Sequence, residues 1–516
     1  MILAILSLLH AEEVPAPAPE APAPEAPAAE APAAEPAVVQ RVPPPKNSFV
    51  LAGQTFQTSG ELRWIANMPP AQLPVGISGE TLGQSFVVDQ RIRLGLLTRT
   101  STSVWTAEAD LFTGQIIGDT WDIAGSEDQR HRERLGIATA DSFKARKLSL
   151  DLKTDVGTFS MGLQTSHWGL GMIANDGAHD PVFGRNDFGD RVLRMRYNTR
   201  LVERLVVVAA ADLVVEDDTA ALAESQFAWQ LVGAMVWAEP EALRVGIYGV
   251  YRDQLEADQR RRTRVAVLDG YMESPFRIGR FPASAGVEVA LISGGTDRSS
   301  SYNARDGLAV LSQGALGYVS LSDPKERYGL KLRAGYASGD GNPDDGMSRD
   351  FSFDRDLDVG MVLFDEVGGA LEAGAYAELT DPENTGHPPD GVEATVTEGA
   401  FRRASFLQPV VNLHPLKFLD LRVGYLAAWA SAPIAQPYAT YRNGGVPTNV
   451  AGKATSGYWL GSEVDVRATL GNVPVRMGPT SFLPALILDF GYAMPSADLG
   501  VGRSAILGRA AAQIRW

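Results

Sequence analysis

The 516-residue sequence contains no cysteine, so disulfide scaffolds and thiolate metal sites are excluded. It also has no excess of positive charge: the formal net charge is −16, which argues against a nucleic-acid-binding protein, whose contact surface would be basic. No run of the sequence approaches the ~18–20 apolar residues that a transmembrane helix needs. The most apolar stretch, near 423–435, is bounded by Arg422 and Gln436. A helical membrane protein is therefore excluded.

Two short segments precede the part of the chain that can bury a core. Residues 1–11, MILAILSLLHA, are apolar and end in a small residue, as in a signal peptide, but they are few and lack a positive start. Residues 12–50 are rich in Pro, Ala and Glu, a composition that favours an extended linker. We therefore expect a short or truncated signal peptide over 1–11, a disordered linker over 12–50 and a β-barrel over 51–516.

Strict alternation of polar and apolar residues is the dominant pattern after the linker. In VVDQRIRLGLLTR, Val88, Ile92 and Leu94 share one face of a strand, while Arg91 and Arg93 share the other. In a soluble barrel the polar face meets water outside, whereas in a membrane barrel the polar face lines an aqueous lumen. Arginines at these positions are typical of the membrane case.

The connections between alternating segments are short and long in turn. Short ones fall at 99–103, 154–157 and 198–203, and long polar ones at 69–85, 114–143 and 169–189. Outer-membrane barrels have this rhythm, with short periplasmic turns and long external loops. The pattern predicts an all-β protein, a closed antiparallel transmembrane β-barrel of about 18 strands (range ~16–20) in the bacterial outer membrane.

Alternation also assigns side chains to the lumen. We expect Val88, Ile92, Leu94, Leu421, Val423 and Ile514 to face lipid, and Arg515 to point inward. Basic residues in a lumen favour anions. The alternative is structural, because barrels also brace their walls with Arg–Asp and Arg–Glu pairs. The predicted lumenal, anion-binding residues are Arg91, Arg93, Arg194, Arg196, Arg244, Lys331, Arg333, Arg422, Arg467 and Arg509.

One acidic loop has the beginning of a calcium-binding pattern. Asp340, Asn342 and Asp344 alternate, and Gly346 follows. Asp345 and Phe351 stand where an EF-hand would have glycine and glutamate. Calcium in the 340–346 loop is therefore one reading, and a solvated loop rich in Asx turns is the other; no further cofactor is expected.

The same region carries a family resemblance. The segment GYASGDGNPDDGMSRDFSFDRDLDVGMVLFDEV, 335–367, resembles a segment of alginate-export-type outer-membrane barrels and of a related group of large exported proteins. This resemblance implies an eighteen-stranded barrel whose arginine-rich lumen conducts a polyuronate. It covers about thirty residues, and no single lumenal arginine can be matched to the exporter's selectivity residues.

Residues 339–403 form the longest connection. Apolar runs at Val359–Phe364 and Ala370–Ala377 would be costly to leave in water, so we expect the segment to fold back into the barrel mouth as a constriction or gate. Its acidic residues would then face the outer vestibule: Asp340, Asp344, Asp345, Asp354 and Asp356. The alternative is that 359–378 is a further hairpin, which would give twenty strands.

Catalysis has little support in the sequence. Ser166, His167, Asp176 and His179 lie close together in the chain, but adjacent residues of a strand point to opposite faces, so Ser166 and His167 cannot form a nucleophile–base pair. We therefore expect a channel, not an enzyme. Its solute would be anionic, such as an acidic polysaccharide, and periplasmic secretion partners would be compatible with export. The alternative from another class is a non-conducting surface barrel that binds a partner or matrix.

Overall fold

The computed structural model describes residues 47–70, 73–76, 81–82, 86–118, 143–186, 189–239, 242–299, 307–342, 345–385, 392, 397, 399–478 and 480–516. The expected signal peptide and most of the linker, 1–46, lie outside the described residues. The strands, in chain order, are β1 (Asn47–Leu51), β2 (Gln54–Met68), β3 (Leu73–Pro74), β4 (Thr81–Leu82), β5 (Val87–Arg99), β6 (Ser103–Gly118), β7 (Phe143–Thr154), β8 (Gly157–Thr165), β9 (Arg191–Val202), β10 (Leu205–Glu216), β11 (Phe227–Ala238), β12 (Arg244–Leu255), β13 (Arg262–Ile278), β14 (Phe281–Thr296), β15 (Leu308–Ser322), β16 (Tyr328–Ala337), β17 (Met347–Ser348), β18 (Ala404–Leu416), β19 (Leu419–Ala430), β20 (Trp459–Gly471), β21 (Val475–Met477), β22 (Thr480–Pro495) and β23 (Ala505–Arg515).

Eighteen of these strands form one closed antiparallel barrel. The short strands β1, β17 and β21 pair with barrel strands, and β3 and β4 form a separate two-stranded sheet. Closure occurs at β2, where Leu62 lies opposite Ile514 of β23 on one side and Ile92 of β5 on the other. A closed wall leaves no unpaired strand edge, which a bilayer requires. The predicted count of eighteen is confirmed.

The long connection between β16 and β18 contributes no strand to the wall. β16 pairs directly with β18, with Arg333 opposite Gln408, so no hairpin stands between them. Within the described part of this connection, only Met347–Ser348 has strand conformation, beside Ala309 and Val310 of β15. The twenty-strand alternative is therefore wrong.

The outer surface of the wall is apolar. Leu94 and Val423 are each 42% exposed, and Val88, Ile92, Leu421 and Ile514 on the same faces are half-buried. Their neighbours Arg91 and Arg422 point inward, where they bind residues inside the barrel. An apolar exterior around a closed, polar-lined barrel is the arrangement of outer-membrane proteins, and the chain is one of them.

The helices are few and short. A π-helix (Leu363–Gly368) continues into α1 (Gly369–Thr380), followed by α2 (Pro382–Thr385); α3 (Pro437–Arg442) and the 3-10 turns Leu222–Glu224 and Ala497–Leu499 lie in other loops. Across the described ranges, no helix has the length and apolar character needed to cross a membrane.

The main hydrophobic core lies inside the barrel. Its buried members include Ala290 of β14, Leu426 of β19 and Leu507 of β23, together with Phe183 and Met361 from two long connections. Because these strands occupy different parts of the wall, the connections that touch them all must enter the lumen.

Candidate functional site: the barrel lumen

The described residues of the connection 166–190, here called the first inserted segment, cross the lumen. Its Leu170 N–H donates to the Glu288 carboxylate on β14, while Arg91 Nη1 on β5 donates to its Asn186 carbonyl at 3.0 Å. In the wall, β5 is the second strand and β14 the eleventh of eighteen, so these contacts lie on opposite sides. The segment therefore spans the interior from one wall to the other.

Wall arginines hold the far part of this segment by its backbone. Arg467 Nη2 donates to the Gly184 carbonyl at 2.6 Å, and Arg422 Nη1 donates to the Val182 carbonyl at 3.3 Å. Between these two carbonyls, the Phe183 ring packs against Gly424 of β19, where a Cβ would lie only 2.5 Å from the ring. Glycine at 424 is therefore required for the segment to approach the wall.

The described residues of 351–403, here called the second inserted segment, enter the lumen beside the first. The Glu463 carboxylate on β20 accepts hydrogen bonds from the N–H groups of Met361, Val362 and Leu363, at 2.6, 2.9 and 2.6 Å. Three amides at the start of the π-helix thus converge on one wall carboxylate. Val359, Phe364, Ala370 and Ala373 are buried in the core. The expectation that the two apolar runs fold back into the barrel is confirmed.

Alternate aspartates join the two inserted segments. Asp354 Oδ2 accepts from the Asn175 N–H at 2.9 Å, Asp356 from the Gly189 N–H, and Asp358 from the Arg185 N–H at 2.6 Å. Burial, with the neighbouring carboxylates Asp218 and Asp190, raises the pKa of Asp354 well above its ordinary value.

The position of these aspartates corrects one expectation. Asp340, Asp354 and Asp356 are only 6%, 6% and 3% exposed, so they do not face an open vestibule. Asp345 is partly exposed, and Asp344 lies outside the described residues. The physical reason is that N–H groups of the backbone supply hydrogen-bond partners, which makes burial of the carboxylates tolerable.

Three of the ten predicted anion-binding residues brace the wall. Arg93 binds Asp110 at 2.7 and 2.9 Å, Arg194 binds Asp212 at 2.7 and 2.7 Å, and Arg467 binds Asp489 at 2.6 and 2.9 Å. Each arginine lies directly opposite its aspartate on the adjacent strand. Both carboxylate oxygens are engaged, so the structural alternative describes these three pairs.

Lys331, Arg333 and Arg422 form a lumenal basic patch of a different kind. Among the described residues, no carboxylate lies within 4 Å of Lys331, whose ammonium stands 4.6 Å from the centroid of the Tyr318 ring. Arg333 donates to the neutral oxygens of Gln408 at 2.9 Å and Asp358 carbonyl at 3.2 Å. Arg422 meets Asp420 at 3.5 Å. Both arginines repel the Lys331 ammonium, and the Glu273 carboxylate attracts it from beyond ion-pair distance. Positive charge is therefore less compensated here than at the braced pairs.

The remaining four predicted residues are dispersed around the wall. Arg91 forms an ion pair with Glu61 at 2.7 Å, and Arg509 binds Asn67 at 2.7 Å with Asp365 at 4.0 Å. Arg196 donates to Ser160 at 3.1 Å, and Arg244 starts β12 opposite Glu273. The structure does not bring all ten residues together into one site.

In the loop with the calcium-like pattern, the first aspartate, Asp340, accepts hydrogen bonds from backbone N–H groups of the same loop. Asp340 Oδ1 accepts from the Asn342 N–H at 3.0 Å, and Oδ2 accepts from the Arg349 N–H at 3.3 Å. These contacts match the Asx-turn reading of the loop. Since Asp344 lies outside the described residues, the full set of three proposed ligands cannot be placed.

A cavity of about 210 Å³ opens between α1 and the connection that follows β19. Most of its lining is apolar, with Leu371 and Leu379 from α1 and Ile434 and Val450 from the facing connection. Arg402 also lines it and is held by Glu372 at 2.8 Å. The cavity therefore combines an apolar wall with a fixed cation.

Several lumenal residues were not found from the sequence. Trp168 stacks on Tyr248 with ring centroids 4.8 Å apart and donates to Asp269 at 2.6 Å. The only local signal was the position of Trp168 at the end of a strand, which does not distinguish an inward from an outward ring.

No protein-family model matches the sequence, and comparison with curated proteins finds no match either. Solved outer-membrane proteins share the fold. OpdK of Pseudomonas aeruginosa, solved with vanillate, has a TM-score of 0.51 at 12% identity, covering 89% of this chain and 98% of that chain. A BenF-like porin from Pseudomonas fluorescens Pf-5 has a TM-score of 0.51 at 10% identity, with the same coverages of 89% and 98%. OccD3 (OpdP) of Pseudomonas aeruginosa has a TM-score of 0.50 at 10% identity, covering 93% and 95%. At these identities the likeness concerns the fold: this chain is an eighteen-stranded barrel of the outer-membrane type.

Proposed function

We propose that the protein is an outer-membrane channel for small anionic solutes, which the lumenal basic patch of Lys331, Arg333 and Arg422 attracts. The observation that carries the proposal is the environment of Lys331. Among the described residues, no carboxylate lies within 4 Å of its ammonium, and the Glu273 carboxylate that acts on it from further away accepts a hydrogen bond from the Tyr318 hydroxyl at 2.8 Å. A partly desolvated cation attracts an anion more strongly than one already neutralised in a pair.

The filled lumen favours a small solute over a polymer. Two inserted segments share a buried core with strands from several parts of the wall, so an acidic polysaccharide would need the second segment to leave the lumen. The resemblance of 335–367 to alginate exporters favours an acidic polysaccharide as the solute. However, residues 351–367 belong to the second inserted segment, which fills the lumen and would stand in the path of a polymer. OpdK, which has the same fold, was solved with vanillate, a small aromatic carboxylate. A carboxylate of that size suits the proposal.

The second candidate is a non-conducting surface barrel. The same buried core favours it, because a packed lumen without a water path would pass no ions. The two candidates differ in one property that can be measured directly, namely ion current.

The test is the reversal potential of the purified protein in planar bilayers under a tenfold KCl gradient. We expect the wild type to select anions and the double variant Lys331→Gln/Arg333→Gln to lose most of that selectivity. The matched control is Lys325→Gln, which removes one charge from the exposed turn of the same β15–β16 hairpin. Equal selectivity in all three proteins, or no current in any, would overturn the proposal.

A further inference from the structure

Two histidines and an aspartate meet on the first inserted segment. The ring centroids of His167 and His179 lie 4.3 Å apart in a stacked arrangement, and Asp176 lies beside both rings. Asp176 Oδ1 is 3.3 Å from Nδ1 of His179 and 3.9 Å from Nδ1 of His167. One ligand atom from each of the three residues lies within 4.8 Å of the other two.

We propose that His167, Asp176 and His179 bind a divalent transition-metal ion, with zinc as the best fit. Two imidazoles and one carboxylate are ligands of zinc-type ions, while calcium and magnesium prefer all-oxygen sites. Tetrahedral zinc bonds of about 2.0–2.2 Å place neighbouring ligand atoms roughly 3.3 Å apart. The Asp176–His179 separation already has this value, while His167 Nδ1 lies 3.9 Å from Asp176 Oδ1. Because the two rings are stacked, they must also turn about their side-chain torsions so that a nitrogen lone pair of each faces the ion.

The segment holds these ligands in place before any ion binds. Arg146 Nη2 donates to the Asp176 carbonyl at 2.7 Å, and the Ala178 N–H donates to Asp176 Oδ1 at 3.0 Å. Gly177 has a φ of +62°, a conformation that favours glycine and turns the chain between Asp176 and His179. Asp176 and the turn that leads to His179 are therefore positioned by the loop.

The position of His167 supplies a second observation that points to a ligand. Its Nδ1 is shielded from solvent and has no hydrogen-bond partner among the described residues. A buried ring nitrogen without a partner is unfavourable unless something binds it. The His179 side chain is 42% exposed, so an ion can reach the site from water.

Three protein ligands leave one tetrahedral position for water or for an anion. The ion would join His167, which follows β8, to Asp176 and His179 further along the first inserted segment. It would thereby hold this part of the segment in one conformation. It would also add two positive charges to a segment that crosses the pore. Binding itself does not depend on conduction, so the proposal stands apart from the proposed channel function.

The test is zinc titration by calorimetry of the assembled barrel, purified in detergent without a polyhistidine tag and treated with EDTA. We expect saturable binding at one ion per chain, unaffected by millimolar Mg²⁺. Cobalt, used as a visible probe, should give the intense absorption of tetrahedral coordination. His179→Ala should weaken zinc binding at least thirtyfold. Because the His179 side chain is 42% exposed, the variant should still fold and assemble.

The matched control is His414→Ala, which removes the histidine that lies 3.5 Å from Asp420 at another turn of the barrel. It should bind zinc like the wild type. Asp176→Asn should weaken binding as His179→Ala does; if it fails to assemble, His179→Ala alone decides. Absence of saturable binding in the wild type, or equal affinity in wild type and His179→Ala, would overturn the proposal.

Discussion

The N–H of Leu363 donates to Glu463 Oε2 at 2.6 Å. This contact joins the first residue of the π-helix to the middle of a wall strand, 100 residues further along the chain. With the two preceding amides on the same carboxylate, it fixes where the second inserted segment lies in the lumen. The barrel wall thus determines the path of the second inserted segment through the lumen.

Glu463→Gln should loosen the second inserted segment. An amide nitrogen would replace one acceptor oxygen and face backbone N–H groups, leaving buried donors without partners at a cost of about 1–3 kcal/mol. We expect a lower free energy of unfolding and larger current fluctuations in single-channel recordings. Glu239→Gln, which alters an exposed ion pair with Arg204, is the control and should leave both properties unchanged. Identical recordings for Glu463→Gln and wild type would show that the contact does not hold the segment.

Leu94→Arg should impair assembly of the barrel. Leu94 lies near the middle of β5 on the outer face, where an arginine side chain would meet lipid at a cost of about 2–4 kcal/mol. Leu201→Arg, also on an outer face but next to a tight turn, should cost about 0–1 kcal/mol. Equilibrium unfolding from lipid vesicles measures both values. Equal costs would contradict the assigned side-chain directions or the membrane depth of Leu94.

Asp218 makes stability depend on pH. Partial burial of this carboxyl, whose side chain is 30% exposed, raises its pKa from 3.8 to about 6, with Asp217 and Asp356 adding repulsion against the attraction of Arg355. The folded protein therefore binds the proton more tightly than the unfolded chain between those two pH values. The stability that Asp218 contributes by protonation is present below pH 3.8 and is lost as the pH rises through about 6.

Asp218→Asn removes this titration. Relative to the variant, the wild type should become more stable by about 1 kcal/mol on acidification from pH 7.5 to pH 4.5, after allowance for solvent screening of this partly exposed group. Thermal unfolding in detergent at both pH values measures the difference. A wild-type advantage that grows with rising pH would mean that the pKa is lowered and the sign is wrong.

The wall was predictable from sequence because lipid on one side and water on the other enforce alternation at every residue. The expected turns 99–103 and 154–157 stand in the structure between β5 and β6, which end and begin at Arg99 and Ser103, and between β7 and β8, which end and begin at Thr154 and Gly157. The expected turn 198–203 is shorter in the structure, since β9 continues to Val202 and β10 starts at Leu205. These strand ends were missed because alternation weakens away from the apolar middle of the strands.

The lumen was predictable only in part. Hydrophobic runs at 359–364 and 370–377 showed that the long connection must be buried, because their cost in water depends on local sequence alone. The burial of Asp354 and Asp356 depends on backbone N–H donors of Asn175 and Gly189, and no local sequence pattern reveals these distant partners. The division of arginines into braced and unbraced ones likewise depended on partners across strands. Long-range pairing of polar groups is what the sequence leaves open.

The most direct test of a channel narrowed by its own loop is the single-channel conductance of the wild type and of a deletion of residues 340–400, recorded in the same planar bilayers. Heat-modifiable mobility confirms that each barrel has assembled. The account predicts small, anion-selective steps for the wild type and several-fold larger steps for the deletion, because the second inserted segment no longer fills the lumen. Equal conductance in two assembled barrels would contradict the account, as would a complete absence of current in both.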